Sequence, residues 1–198
     1  MKVRFSVLVA MTGALVLILW FIGWFVSNQI LYKQQAQPIA FPHDLHAGSR
    51  QIACQYCHRG TAAGFSAGVP SVQECMDCHK GIKTLAVPPL GTVDAAQHPD
   101  IDKLINKYWL AGGGSVQDPK GPQPIQWWKV YELPDHARFA HAAHIAKGFD
   151  CAECHGDVKN MRVLTPSQGI GMGWCISCHR GKNTLKAVGP QQCSTCHY

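Results

Sequence analysis

Charged side chains are scarce in this chain of 198 residues, where Asp, Glu, Lys and Arg together make up 15%. The hydrophobic fraction is nevertheless 46%. This composition excludes a disordered chain, which would combine few hydrophobic residues with a high net charge. The formal net charge is +6, yet the sequence contains no run of five or more basic residues. A nucleic-acid-binding tail, which concentrates like charges, is therefore not indicated, and we expect no nucleic-acid partner.

No cysteine lies outside a C-x-x-C-H pentapeptide, although the chain has ten cysteines. We number these pentapeptides motifs 1 to 5 in chain order. Their residues are Cys54, Cys57 and His58; Cys75, Cys78 and His79; Cys151, Cys154 and His155; Cys175, Cys178 and His179; and Cys193, Cys196 and His197. C-x-x-C-H is the attachment sequence of c-type haem. On a helical turn, the cysteines at i and i+3 share one face and can each form a thioether with a haem vinyl group. The histidine at i+4 is then placed to bind the iron.

Two other uses of paired cysteines fit the pattern poorly. Four thiolates close one zinc ribbon site, so five pairs would leave one pair unused, and zinc would not require a histidine after every pair. Thioredoxin-like pairs occur singly within a βαβ pattern, which the sequence lacks. The motifs therefore predict five covalently bound haem c groups, with the five motif histidines as proximal iron ligands.

Six histidines outside the motifs are candidates for the opposite, distal iron ligands: His43, His46, His98, His136, His141 and His144. Four of them form two H-x-x-H pairs, in FPHDLH before motif 1 and in FAHAAH before motif 3. In each block a second C-x-x-C-H follows and continues with a basic residue and glycine. The chain thus carries an internal duplication, to which motif 5 is added at the end.

The spacing of each H-x-x-H pair limits what its histidines can bind. On a helical turn they lie about 5–6 Å apart at Cβ, so they cannot bind one iron from opposite sides. We expect His43 and His141 to bind the haems of their own blocks and His46 and His144 to bind other haems. Each pair would then hold two haems close together, and we expect the turns to connect haems across the blocks.

Four distal histidines leave one iron without a ligand. We favour Met161 or Met172, which precede motif 4, because a thioether ligand would raise the potential of that haem above its neighbours. Either methionine could equally be a core residue. His136 and His98 are reserve candidates, although His98 precedes a Pro-Asp helix start and could simply occupy that position.

The N-terminal sequence contains an uncharged run over residues 5–26. As a helix it would rise about 33 Å, enough to cross a hydrocarbon core of about 30 Å. Aromatic residues that favour the headgroup layer crowd its far end: Trp20, Trp24, Phe25 and Tyr32. The run is longer than a signal-peptide h-region and no A-x-A-like site follows, so we expect an uncleaved transmembrane anchor. Lys2 and Arg4 precede it, which predicts a cytoplasmic N-terminus in a bacterial inner membrane and a periplasmic haem domain.

These features predict four segments: an anchor at 1–30, a two-haem block at 38–80, a haem-free insert at 81–135 and a three-haem block at 136–198. Within the insert, residues 99–114 predict a short helix that ends at glycines. The extended segment after it carries Trp127 and Trp128, which either cover haem edges or form a docking surface. The protein core available per haem is small. The predicted fold class is therefore short α-helices and irregular segments packed around five c-type haems, with little β structure and one transmembrane helix.

The arrangement of the motifs resembles a known family. F-x-H-x-x-H followed by C-x-x-C-H resembles the small class III multihaem cytochromes c. The fuller pattern at residues 124–144, 151–161 and 172–181 is similar to the pentahaem subunit of bacterial alternative complex III. This resemblance implies four bis-histidine haems and one histidine–methionine haem. It also implies an iron–sulfur protein, integral membrane quinol-binding subunits and a monohaem cytochrome c as partners, which oxidise quinol and pass electrons to a periplasmic carrier or an oxidase.

We therefore expect an electron-transfer subunit of a membrane quinol oxidoreductase complex, with no catalytic centre of its own. One alternative is the multihaem subunit of another molybdopterin-type respiratory complex. A second is a stand-alone membrane-anchored multihaem quinol dehydrogenase, but Arg59 and Gly60 follow motif 1 where that group has a methionine nearby. A third is a multihaem reductase, which needs an open iron, whereas the distal ligands here match the number of haems and no C-x-x-C-K variant occurs.

Overall fold

The computed structural model describes residues 2–26, 36–82, 84–87, 91–94, 98–167 and 169–198. The chain divides into two compact units, Met1–Ala36 and Gln37–Tyr198. The described residues of the first unit form one helix, and the second unit contains all five motifs.

The first unit is built on helix α1, Lys2–Val26. The side chains described along it, at residues 11–25, are exposed. Among the helices of the described residues, none combines the length and apolar character needed to cross a membrane. The transmembrane span therefore stays a prediction. Tyr32 and the end of the predicted anchor segment lie outside the described residues.

Short helices dominate the second unit. Its α-helices are α2 (Cys54–Cys57), α3 (Val72–His79), α4 (Pro99–Asp102), α5 (His141–Ala146), α6 (Cys151–His155), α7 (Met172–His179) and α8 (Cys193–Cys196). The described residues also form two π-helical turns, Asp44–Ser49 and Lys103–Trp109, and two 3₁₀ turns, Arg59–Thr61 and Val158–Asn160. This part of the predicted fold class is confirmed.

The strand content of the described residues is small, as predicted. Strands β1 (Thr84–Val87) and β2 (Gly91–Asp94) pair antiparallel, with Thr84 opposite Asp94 and Val87 opposite Gly91. This hairpin lies in the insert, for which the sequence predicted only a helix and an extended segment. Residues 83, 88–90 and 95–97 of the insert lie outside the described residues.

Two of the motif helices begin with capping boxes. Ser71 caps α3 by accepting from the backbone N–H of Glu74, whose carboxylate accepts from the backbone N–H of Ser71. Asp150 caps α6, and its partner Glu153 returns the hydrogen bond in the same way. Because helices this short have little stability of their own, such caps help to fix the first turn of each motif helix.

The buried hydrophobic residues of the described part form one small cluster, all of it before residue 126: Ile39, Val72, Met76, Leu104, Tyr108, Trp109 and Ile125. It packs α3, which carries motif 2, against the π-helical turn of the insert. Trp109 is 1% exposed and its Nε1–H donates to the carbonyl of Val116 at 2.8 Å. In the described residues after 125 no hydrophobic side chain is buried. The hydrophobic side chains described after residue 125 are therefore partly or fully exposed on the protein chain itself.

The insert helix ends earlier than the sequence predicted. It begins at Pro99 and continues to Trp109, before the glycines. His98 is its N-cap, and the imidazole Nδ1 accepts from the backbone N–H of Asp100 at 3.4 Å. Of the two neighbouring tryptophans, Trp127 packs against the hydrophobic cluster, whereas Trp128 is 54% exposed.

Candidate haem-binding sites

Each motif lies on its own short helix, as the C-x-x-C-H spacing predicts. Motifs 1 and 5 occupy α2 and α8, with His58 and His197 just after the last turn. Motifs 2 and 4 form the final turns of α3 and α7, and motif 3 fills α6. In every case the two cysteines are one turn apart, so both can face the same ligand.

A second imidazole lies opposite four of the motif histidines. The ring centroids are 6.3 Å apart for His46 and His79, 6.5 Å for His141 and His155, 6.1 Å for His144 and His179, and 5.5 Å for His136 and His197. The remaining motif histidine, His58, is close enough to His43 to affect its pKa. All five motif histidines thus have a histidine outside the motifs as a neighbour.

These separations match those of two ligands on one iron. An imidazole nitrogen binds a transition-metal ion at about 2 Å and its ring centre lies about 1 Å farther out, so two opposite ligands have ring centres about 6 Å apart. The four measured separations lie between 5.5 and 6.5 Å. The cysteine pairs and the paired imidazoles therefore fit haem c bound covalently on one side and ligated on both. When bound, haem c supplies reversible one-electron exchange at its iron.

Hydrogen bonds at Nδ1 select the tautomer that binds metal through Nε2. Nδ1 donates to a backbone carbonyl in six of these histidines. The acceptors are Pro42 for His46, Gly68 for His58, Phe65 for His141, Ala140 for His144, Pro190 for His179 and His136 for His197, at 2.6–3.3 Å. A proton fixed on Nδ1 leaves the Nε2 lone pair free, and the hydrogen bond orients the ring and raises its basicity. Nδ1 of His43 and His79 is buried without a partner among the described residues.

The duplication predicted from the sequence is visible in side-chain packing. In the first block the Phe41 ring stands edge-on to His43, with 4.9 Å between centroids, and stacks on His46 at 4.3 Å. In the second block Phe139 stands edge-on to one histidine at 4.8 Å and stacks on the other at 4.5 Å. Each phenylalanine therefore contacts both histidine rings of its H-x-x-H pair.

Burial keeps several of these imidazoles neutral. It lowers the pKa of His43, and the neighbouring imidazoles of His58 and His46 lower it further. Burial, followed by the proximity of His46, lowers the pKa of His79. Burial also lowers the pKa of His155, with smaller contributions from His141 and His58. A neutral imidazole is the form that binds metal.

The thiols are shifted in the opposite direction. Burial raises the pKa of Cys75 to about 11, with added effects of the Cys57 thiol and the Glu74 carboxylate. Burial raises the pKa of Cys154 to about 11, helped by the thiol of Cys178 and the carboxylate of Glu153.

The candidates for the fifth distal ligand occupy different places. Met172 is 66% exposed at the start of α7. Met161 follows the second 3₁₀ turn, and its backbone carbonyl accepts from Asp44 at 3.0 Å. His98 caps α4 in the insert. His136 is the candidate whose ring faces a motif histidine.

The position of His136 follows from a backbone bridge. Ala137 pairs antiparallel with His197, and the backbone N–H of Arg138 donates to the carbonyl of Cys196 at 2.7 Å. The guanidinium of Arg138 also lies over the Tyr198 ring, 4.7 Å from its centroid. These contacts fix residues 136–138 against the motif 5 helix.

The pairing within blocks differs from the sequence prediction. His46 faces His79 of motif 2, and His144 faces His179 of motif 4. Each H-x-x-H turn therefore lies beside motif histidines of its own block, and which haems the four histidines bind stays a prediction. The turns themselves pack against the other block: the π-helical turn Asp44–Ser49 packs against the 3₁₀ turn Val158–Asn160, and α5 packs against the 3₁₀ turn Arg59–Thr61.

Some residues that contact the candidate haem ligands could not be predicted from any sequence pattern. Tyr131 of the insert stands edge-on to His155, with 4.9 Å between centroids, and its hydroxyl accepts from the backbone N–H of Ser167. The acceptors of the histidine Nδ1 protons are backbone carbonyls, which any residue type supplies. Only the two phenylalanines could have been found, since both stand in the repeated F-x-H-x-x-H pattern.

A family profile described as cytochrome c7 and related cytochrome c matches residues 39–98 and 137–198, which is more than half of the chain. The chain belongs to this cytochrome c family. Membership implies covalently bound haem c, in agreement with the cysteine pairs and facing imidazoles. The matched residues leave out most of the insert. They also leave out His136, which precedes the second matched range by one residue.

This member of the cytochrome c7 family is also similar to a multihaem cytochrome c subunit of a menaquinone reductase. The multiheme cytochrome c subunit of menaquinone reductase from Nitratidesulfovibrio vulgaris strain Hildenborough is 28% identical over 196 residues. The similarity covers 88% of this chain and 83% of the relative. The chain is thus similar to a multihaem cytochrome over most of the length of both proteins.

Proposed function

We propose that the chain is an electron-transfer subunit that carries five covalently bound haem c groups, one at each motif. The main support is that every motif histidine has a second histidine beside it. Protein ligands on both sides of an iron leave no open position for a substrate, so such sites suit electron transfer rather than catalysis. Intact-mass spectrometry of the purified holoprotein tests the number of haems, and a mass increase for fewer than five would contradict it.

The proposal assigns a distal histidine to each motif. In the order of motifs 1 to 5 the ligands are His43, His46, His141, His144 and His136. All five haems are then bis-histidine, which differs from the histidine–methionine haem that the family resemblance implies. The support for His136 is its ring, 5.5 Å from that of His197 between centroids.

A pair of histidine substitutions tests this assignment. We expect His136→Ala to convert one low-spin haem to a high-spin form, because its iron loses the sixth ligand. His98→Ala is the control, since it removes an N-cap and no ligand. EPR spectra of the oxidised proteins separate the two spin states. If Met161→Leu or Met172→Leu gives the high-spin haem and His136→Ala does not, the methionine assignment holds instead.

We further propose that the chain works in a quinone-linked respiratory complex at the bacterial inner membrane. The relative named above is a menaquinone reductase subunit, and the motif pattern resembles alternative complex III. The proposed partners are integral membrane quinol-binding subunits, an iron–sulfur protein and a monohaem cytochrome c or other periplasmic acceptor. The uncharged N-terminal sequence would hold the chain at the membrane, with the unit Gln37–Tyr198 on the periplasmic side.

The direction of electron flow distinguishes two candidate complexes. An alternative complex III passes electrons from quinol to a periplasmic acceptor, whereas the relative is named for menaquinone reduction. Purification of the chain from native membranes, followed by mass spectrometry of the co-purifying proteins, identifies the complex. Reduction of the haems by menaquinol would favour the first direction, and menaquinone reduction by a pre-reduced complex would favour the second. A chain that purifies alone and oxidises quinol would contradict both.

Association with the membrane is tested separately. We expect the full chain to stay with membranes after alkaline carbonate extraction and to require detergent for release. A chain that begins at Gln37, where the second unit starts, should be released without detergent if it is given a cleavable export signal. Release of the full chain by carbonate would contradict the proposed anchor.

A further inference from the structure

We propose that the five haem sites form a single row, with motif 2 at one end, then motifs 1, 3 and 4, and motif 5 at the other end. The inference rests on the proposed function, because it assumes that all five motifs carry haem. It assigns the path of electrons among these haems. The row differs from chain order, in which motif 2 would lie next to motif 3. Four links between neighbouring sites carry the argument.

The first H-x-x-H turn links motif 2 to motif 1. His46 faces His79 of motif 2, while His43, one turn away, is beside His58 of motif 1. Arg59, which follows the motif 1 histidine, pairs with Glu74 next to the first cysteine of motif 2, at 3.1 Å between Nε and Oε1. The two sites are thus joined both through their distal ligands and beside their cysteines.

The second H-x-x-H turn links motif 3 to motif 4 in the same way. His141 faces His155 of motif 3 and His144 faces His179 of motif 4. Thr184, which follows motif 4, donates a hydrogen bond to the carboxylate of Glu153 inside motif 3. The two blocks therefore repeat the same internal connection.

Residues 65–68 link the two blocks through motifs 1 and 3. His58 of motif 1 donates from Nδ1 to the carbonyl of Gly68 at 2.7 Å, and His141 donates from Nδ1 to the carbonyl of Phe65 at 2.7 Å. The proximal ligand of one site and the distal ligand of the other are therefore oriented by carbonyls three residues apart. The backbone N–H of Ala142 also donates to Gly64 at 3.2 Å. We call residues 65–68 the junction loop.

Contacts on the cysteine side place motifs 1 and 3 together as well. Cys54 and Cys151 line one cavity of about 560 Å³. Burial raises the pKa of Cys151, and the adjacent Cys54 thiol raises it further. Asp44, in the π-helical turn beside His43, pairs with Arg162 at 3.4 Å and donates its backbone N–H to the carbonyl of Met161. The first site of each block therefore faces the first site of the other.

The segment before motif 5 links it to motif 4. His179 of motif 4 donates from Nδ1 to the carbonyl of Pro190 at 2.6 Å, and its own carbonyl accepts from Gly189 at 2.9 Å. Arg180 also pairs as an isolated bridge with Val188. Pro190 precedes Cys193 by three residues, so motif 5 begins where the proximal ligand of motif 4 is held.

Iron positions in the holoprotein test the order directly. A crystal structure phased on the iron anomalous signal should give four shortest iron–iron separations, joining motifs 2 and 1, 1 and 3, 3 and 4, and 4 and 5. A shortest separation that joins motif 2 to motif 3 or to motif 5 would overturn the proposed row. Fewer than five irons would instead contradict the proposed function, so the two failures are distinguishable.

Substitution at the junction loop tests whether one segment serves two sites. Gly68 has φ +72°, and a Cβ there would meet nothing within 4 Å, so Gly68→Ala perturbs the backbone without a clash. We expect both Nδ1 hydrogen bonds to the loop to weaken and two of the five haem potentials to rise, because each imidazole donates less electron density to its iron. Gly113→Ala is the matched control. Gly113 has φ +86°, is equally open and lies in the insert.

The readout is a redox titration followed by EPR, in which low-spin haems give separate signals. Two shifted potentials in Gly68→Ala and none in Gly113→Ala support the shared junction. A shift of one potential only, or equal shifts in both variants, would overturn it. Neither Gly68 nor Gly113 is a candidate iron ligand, so both variants keep all ten proposed ligands.

Discussion

Trp109 offers a quantitative test of how the insert supports the first block. Its side chain is 1% exposed, and it belongs to the single hydrophobic cluster of the described residues, against α3 and motif 2. Trp109→Ala removes the indole and leaves a cavity, which costs about 3–5 kcal/mol at buried aromatic sites. It also leaves the carbonyl of Val116 without the Nε1–H donor that reaches it at 2.8 Å.

For a chain of 198 residues this loss converts to a change in melting temperature. One kcal/mol shifts the midpoint by about 2–4 °C in this size range, so Trp109→Ala should lower it by about 6–20 °C. Thermal unfolding of the holoprotein followed by circular dichroism measures the shift. The haem absorption spectrum, recorded in parallel, shows whether motif 2 loses its low-spin signal before the others.

Trp128→Ala is the matched control for the same chemical change. The Trp128 side chain is 54% exposed, and its backbone N–H and carbonyl, which bond the Gln37 side chain, are unaffected by the substitution. We expect a change of at most about 0.5 kcal/mol, as for other exposed sites. If both variants melt at nearly the same temperature, the cluster does not support the first block and the argument is refuted.

Two further predictions concern the motif helices and the haem. Ser71→Ala and Asp150→Ala, which each remove the N-cap of one motif helix, should lower the free energy of unfolding by about 1 kcal/mol each, measured by denaturant titration. A change below about 0.3 kcal/mol in both would show that bound haem alone fixes these helices. Expression of the second unit without haem attachment should give a chain with no cooperative unfolding transition, checked by calorimetry; a cooperative transition in that chain would contradict the role of haem as its core.

The covalent chemistry of the sites was the part most accessible from the sequence. C-x-x-C-H needs only local spacing on one helical turn, so the five motifs could be located without the fold. The H-x-x-H pairs were equally local, and His43, His46, His141 and His144 all lie beside motif histidines in the structure. Which motif each histidine faces depends on long-range packing, so spacing alone could not have shown that His46 and His144 lie beside motif histidines of their own blocks.

The fifth distal ligand could not be predicted from local sequence patterns. His136 stands opposite His197 because a backbone bridge brings together residues 61 positions apart. No spacing rule relates those positions. The sequence alone therefore could not favour His136 over Met161 or Met172 as the fifth distal ligand. The β1–β2 hairpin was missed for a similar reason, since its pairing is fixed by backbone hydrogen bonds rather than by a strong alternation of side chains.

The lack of buried hydrophobic side chains after residue 125 in the described part of the chain has a consequence for biogenesis. If the chain is exported as proposed, a segment without its own apolar interior gains little from collapse before haem is attached, so its cysteines would stay accessible for haem attachment. Each thioether bond then adds a piece of the interior. Maturation, rather than synthesis, would decide when this part of the chain acquires its shape, and a shortage of haem would leave an open chain for proteases to remove.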